Sequence, residues 1–71
     1  MTQFGITKSA AMTAAQALEA AVRLLRSKGH RVGEVELLDD GDTDLVALID
    51  ADVEIPCWLA GEGISLEAEL P

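Results

Sequence analysis

Residues 25–38, LRSKGHRVGEVELL, hold the turning point of this chain. Up to Gly29 the apolar residues recur every three or four positions; after it they alternate two by two. The first spacing puts a stripe on a helix, and the second puts a face on a strand. The charge turns over at the same place. All five Lys and Arg residues (Lys8, Arg23, Arg26, Lys28 and Arg31) lie before residue 32, and every carboxylate except Glu19 lies beyond it, for a net charge of −8.

Working upstream, Ala11, Ala14, Ala15, Leu18, Ala21, Val22 and Leu25 trace one apolar stripe, which predicts a helix over about 8–28. Ala, Leu, Gln, Glu and Arg dominate it, all good helix formers. Thr7 or Ser9 is placed to cap its start, and Gly29 to end it in the left-handed conformation. Lys28, His30 and Arg31 complement the negative end of the helix dipole. Glu19 and Arg23 stand one turn apart and form a weak pair. A stripe this rich in alanine packs closely, which suits a sheet beneath it. Still further upstream, Thr2–Ile6 reads either as a short extra strand or as a flap carrying Phe4 to the core.

Working downstream, three runs alternate apolar and acidic residues, predicting strands at about 33–38, 44–55 and 64–70. Val35 and Leu37 alternate with Glu34 and Glu36. Ile49, Ala51, Val53 and Ile55 alternate with Asp50, Asp52 and Glu54. Ile64, Leu66, Ala68 and Leu70 alternate with Ser65, Glu67 and Glu69. Asp39–Asp44, with Gly41 inside, reads as one hairpin turn and Gly61-Glu62-Gly63 as another, so a meander is expected. The middle run is inconsistent, because Val46 and Leu48 fall on the side of Asp50. Either a bulge or break near Asp50 changes the facing and splits the strand, or another chain covers that strip. Pro56 suits an edge strand or a bulge. The expected fold is α+β, a single domain over 1–71. One N-terminal amphipathic helix packs on a three- to four-stranded antiparallel sheet, in the order α-β-β-β.

A chain of 71 residues buries only ~60% of its unfolded surface, so its core must be economical or completed by a partner subunit. A hydrophobic fraction of 49% sets it apart from a disordered acidic tail. With Cys57 alone there is no internal disulfide, which points to a reducing cytoplasm. No signal-peptide pattern opens the sequence, and no apolar run reaches the ~20 residues that span a bilayer. A pI near 4.2 argues against direct contact with nucleic acid or an anionic membrane.

Enzymatic chemistry is not expected. Asp40-Gly41-Asp42-Thr43-Asp44 opens like a calcium loop, but Leu45 stands where that loop needs Gly and Ala51 where it needs Glu. Cys57 and His30 are too few for a zinc site, and nothing in the sequence activates the thiol, so Cys57 is expected in the core. No cofactor or metal is called for. Carboxylates are plentiful, but an exposed acidic sheet offers no deep pocket to separate their pKa values. What the pattern does offer is a surface. Carboxylates two apart on a strand lie ~6.6 Å apart and neighbouring strands ~4.8 Å apart, which makes a grid of negative charge. Such a grid suits a cationic groove on a partner protein.

The strand-face carboxylates Glu34, Glu36, Asp50, Asp52, Glu54, Glu67 and Glu69, the turn acids Asp39, Asp40, Asp42 and Asp44, and the small size together resemble the acidic DNA mimics of phages and mobile elements. These are the anti-CRISPR and anti-restriction inhibitors. The resemblance is one of character, strongest over residues 34–69, and no family motif carries it. It implies a non-enzymatic decoy acting in the host cytoplasm. Its partner would be a basic nucleic-acid-binding protein or complex, and those eleven acids its binding surface. The basic helix departs from the pattern and suits a second partner or a homodimer. The alternative is a structural or regulatory subunit that binds through an apolar patch at Trp58, Leu59, Val46 and Leu48, its acidity serving solubility alone.

Overall fold

Phe4 and Ile6 are fully buried, and the run that carries them is a strand, β1, Thr2–Thr7. The computed structural model describes residues 2–38, 44–54 and 56–67, the side chain of Glu67 excepted. After β1 come helix α1 (Ala14–Ser27), strands β2 (Val32–Leu37) and β3 (Leu45–Ala51), a 3-10 helix over Cys57–Glu62, and the short strand β4 (Leu66–Glu67). The sheet order is β2-β3-β1-β4, with antiparallel neighbours throughout.

The class is α+β, as expected, but the order is not α-β-β-β. A strand precedes the helix and sits inside the sheet, so Thr2–Thr7 is the extra strand rather than a flap. β1 and β2 both run antiparallel to β3, and α1 carries the chain from one to the other across it. β2 and β3 neighbour each other as the expected hairpin requires. The meander stops there, because β4 pairs with β1 and not with β3. Gly61-Glu62-Gly63 is accordingly no hairpin turn but the end of the 3-10 helix.

The helix starts at Ala14, not near residue 8. Thr13 caps it through a reciprocal box: Gln16 donates its N–H to Thr13 Oγ1 at 3.2 Å, and Thr13 donates its N–H to Gln16 Oε1 at 3.0 Å. That arrangement satisfies two end donors at once, which neither Thr7 nor Ser9 does. Its buried residues are Ala17, Ala21 and Leu25, while Ala15 is exposed, so the stripe is turned from the one read in the sequence. The helix stops as expected. Gly29 takes φ +86° and donates to Arg26 O, and His30 donates to Leu25 O, the paired bonds of a Schellman end. The 3-10 helix ends the same way, with Gly63 at φ +86° and Ile64 donating to Leu59 O.

The core lies between α1 and one face of the sheet. Phe4 and Ile6 of β1, Ala47, Ile49 and Ala51 of β3, and Ala17, Ala21 and Leu25 of α1 fill it, with Leu59 and Ile64 closing one side. Four of these ten are alanines, which let helix and sheet approach closely. The 3-10 turn explains the sides of its residues. With three residues per turn, Pro56 and Leu59 share the buried side while Cys57 and Ala60 face out. Cys57 is therefore exposed, not a core residue, and Pro56 caps a 3-10 helix instead of marking an edge strand.

Candidate functional site

Among the described residues one face of the sheet carries no helix, and the register fixes what stands on it. Phe4 pairs with Ile49 and Ile6 with Ala47 on the core side, so Gln3, Leu48 and Asp50 stand on the other. Glu36 pairs with Leu48 and joins that face. A bulge between Val32 and Val35 holds Gly33 and Glu34, and Glu34 lines the same shallow groove of about 410 Å³ with Gln3, Val35, Glu36, Leu48 and Asp50.

Three described acids thus gather here: Glu34, Glu36 and Asp50. Among the described residues none of them has an ion-pair partner; the pairs found are Glu19–Arg23 at 3.2 Å and Asp52–His30 at 3.3 Å. Glu36 and Asp50 are diagonal neighbours across the strands, ~7–8 Å apart. At that separation in water two like charges repel by ~0.5 kcal/mol. The face therefore costs the fold little and keeps its charge available.

The remaining predicted acids are distributed differently. β3 ends at Ala51, and residues 52–54 form a bend, so Asp52 and Glu54 do not continue a strand face. Asp52 instead accepts the Arg31 N–H at 2.9 Å on Oδ1, and donates its own N–H to Arg31 O at 3.1 Å. His30, read as a partner of the helix dipole, points its Nδ1 at the same carboxylate oxygen. Glu54 is exposed in the bend. Asp44 accepts the Lys8 N–H through its backbone carbonyl, and both line an open recess of about 630 Å³ with Thr7, Ser9, Ala10 and Leu66. β4 sets residue 67 opposite Gly5. Asp39, Asp40, Asp42 and Glu69 lie outside the described residues, as do Ile55 and residues 68–70 of the third predicted strand.

The facing problem in β3 has two answers. A bulge opposite Ile6 and Thr7 makes Val46 the extra residue, and it packs against the core beside Met12 and Ala17. Leu48 keeps its place on the acidic face, half-buried. Trp58 packs against the core and Leu59 is within it, so Trp58, Leu59 and Val46 do not form one patch with Leu48. The Trp58 ring also carries Lys28 Nζ at 5.2 Å from its centroid, a contact the sequence did not announce.

Arg23 and Arg26 are exposed on α1, which covers the opposite face of the sheet from the three acids. Arg23 and Arg26 thus lie on the opposite side of the sheet from Glu34, Glu36 and Asp50. Among the described residues no cluster of His, Cys, Asp and Glu could hold a metal ion, and no helix is long and apolar enough to cross a membrane.

Val35 and Leu37, read as the inward side of a half-buried strand, take that side but are not covered. Their pairing with Ile49 and Ala47 puts them on the helix side, yet they are 46% and 51% exposed. A helix ~10 Å across cannot roof four strands set ~4.8 Å apart. Of the apolar residues that β2 turns toward the helix, Val32 alone reaches the core. No protein-family model matches this chain, and neither curated proteins nor solved structures yielded a match.

Proposed function

We propose that this chain is a non-catalytic inhibitor that lays the helix-free face of its sheet on a basic, nucleic-acid-binding surface of another protein, such as a host defence complex, and so excludes DNA. The observation that carries this reading is the trio Glu34, Glu36 and Asp50, gathered on one face with no described cation among them. Complementary potential steers and orients such an encounter, and salt weakens it. Leu48 at the middle of the trio adds apolar contact once water leaves the groove.

The test is competition. Duplex DNA bound to a panel of RNA-guided and restriction nucleases is titrated with the protein at low and high salt. Displacement that fades with salt is the expected result. The variant Glu34→Gln/Glu36→Gln/Asp50→Asn should lose it while melting at the same temperature or slightly higher, since only repulsion has been removed. Undiminished displacement by that variant, or none by the parent protein, would sink the reading.

A further inference from the structure

Strand β2 is an edge strand, and among the described residues it pairs with β3 alone. The other edge, β4, is described over Leu66–Glu67. β2 is longer: six residues that carry a bulge and two glutamates but no Lys or Pro to guard the edge. Its bulge falls before Val35, which leaves Val35, Glu36 and Leu37 in regular register with Ile49, Leu48 and Ala47.

The direction of the free backbone groups follows from one hydrogen bond. Leu38 donates its N–H inward to Val46 O at 2.9 Å. In an antiparallel ladder alternate residues face the same way, so Glu36 also bonds inward, and Val35 and Leu37 turn their N–H and C=O outward. Val35 and Leu37 are also the exposed large hydrophobic residues of the described chain. Unpaired main chain and uncovered apolar surface coincide on the same two residues.

We infer that β2 accepts an extended segment of a partner protein as a fifth strand, with apolar residues opposite Val35 and Leu37 and Lys or Arg opposite Glu36. The main chain supplies affinity and the alternating side chains supply selectivity, as in other strand additions. Charge selects the occupant. Glu34 and Glu36 have no ion-pair partner among the described residues, so a cation facing Glu36 gains a free carboxylate. A second copy of this chain is the poorer fit. Two-fold antiparallel pairing centred on Val35 or Glu36 sets Glu36 against Glu34 or Glu36 of the other copy, and like charges directly opposite destabilise a ladder. The inference concerns the edge and its main-chain bonds, so it stands or falls separately from displacement of DNA by the acidic face.

The experiment uses a fluorescent synthetic peptide alternating Lys with Val and Thr. Its control is the same peptide N-methylated on the amides that would face β2, which keeps every charge and removes the ladder. Binding is read by anisotropy, and amide exchange is followed at Val35 and Leu37. The expected result is that the peptide binds and slows exchange at both amides, while N-methylation weakens binding about tenfold or more. Leu37→Pro should weaken it similarly, because the lost N–H points outward and the ladder to β3 persists. If that variant fails to fold, the methylated peptide on the parent protein still decides. Equal binding of both peptides, exchange unchanged by the peptide, or no binding at all overturns the inference. So does a dimer in sedimentation whose Val35 and Leu37 amides are already protected without peptide, which assigns the edge to a second copy.

Discussion

Asp52 and Arg31 hold each other by two backbone-linked bonds: the Asp52 carboxylate accepts the Arg31 N–H at 2.9 Å, and the Asp52 N–H donates to the Arg31 carbonyl at 3.1 Å. The clasp ties the loop leaving α1 to the end of β3, next to the pairing of Val32 with Ala51. It also sets Asp52 apart from the neighbouring acids, since its charge is used within the fold.

Asp52→Ala should therefore destabilise the domain by about 1–2 kcal/mol, because a hydrogen bond to a charged group contributes ~1.5–3 kcal/mol and this carboxylate is 40% exposed to solvent screening. Asp50→Asn should be neutral or slightly stabilising. Urea denaturation of the two variants side by side makes the comparison, and equal losses would refute the division of labour. His30→Ala should cost less than Asp52→Ala, because the imidazole is partly exposed and the pair is open to solvent screening.

Thr13→Ala should cost about 0.5–2 kcal/mol by opening the capping box, and Ser9→Ala should cost less. Ser9 accepts only the Ala11 N–H, outside the helix. Circular dichroism on heating reads both; the reverse ranking would move the start of the helix back toward residue 8.

Phe4→Ala should cost about 3–5 kcal/mol, as for other fully buried aromatic residues. A domain of this size has only ~4–10 kcal/mol of stability in total. The variant should be marginal or unfolded at 37 °C, whereas Trp58→Ala, at the half-buried rim, should remain folded. Tryptophan-independent far-ultraviolet dichroism serves for both.

Cys57 should react fully with a thiol reagent in the native protein, without denaturant, because the 3-10 turn faces it outward. A thiol that labels only in denaturant would contradict that facing.

Local chemistry was legible where it depended on neighbours in sequence. The break at Gly29 is the place where only a left-handed residue could end the helix, and the Glu19–Arg23 pair follows from one-turn spacing. Thr13-Ala14-Ala15-Gln16 was equally legible as a capping box, but the alanine run on both sides masked it. What the sequence did not carry was adjacency. Nothing in Thr2–Thr7 says that it lies between β3 and β4, and without that the meander is the simplest arrangement. The acidic face suffered for the same reason: period-2 alternation continues from Asp50 through Glu54, but the strand ends where Asp52 finds Arg31. Edge position, which exposes Val35 and Leu37, is likewise a property of the assembled sheet.

The place of β1 has a consequence for how the molecule comes together. Thr2–Thr7 pairs with Leu45–Ala51 on one side and with Leu66–Glu67 on the other, so its pairing is not complete until both later segments exist. On a ribosome, α1 and the β2–β3 pair can form while β1 still waits for the β4 partners of Gly5 and Ile6. Such distant pairings slow folding relative to a helical domain of equal length. Among the described strands β1 is also the one link between β4 and the rest. Prising it out would leave a two-stranded ribbon and an orphan strand, so the least conspicuous run of the sequence acts as the keystone.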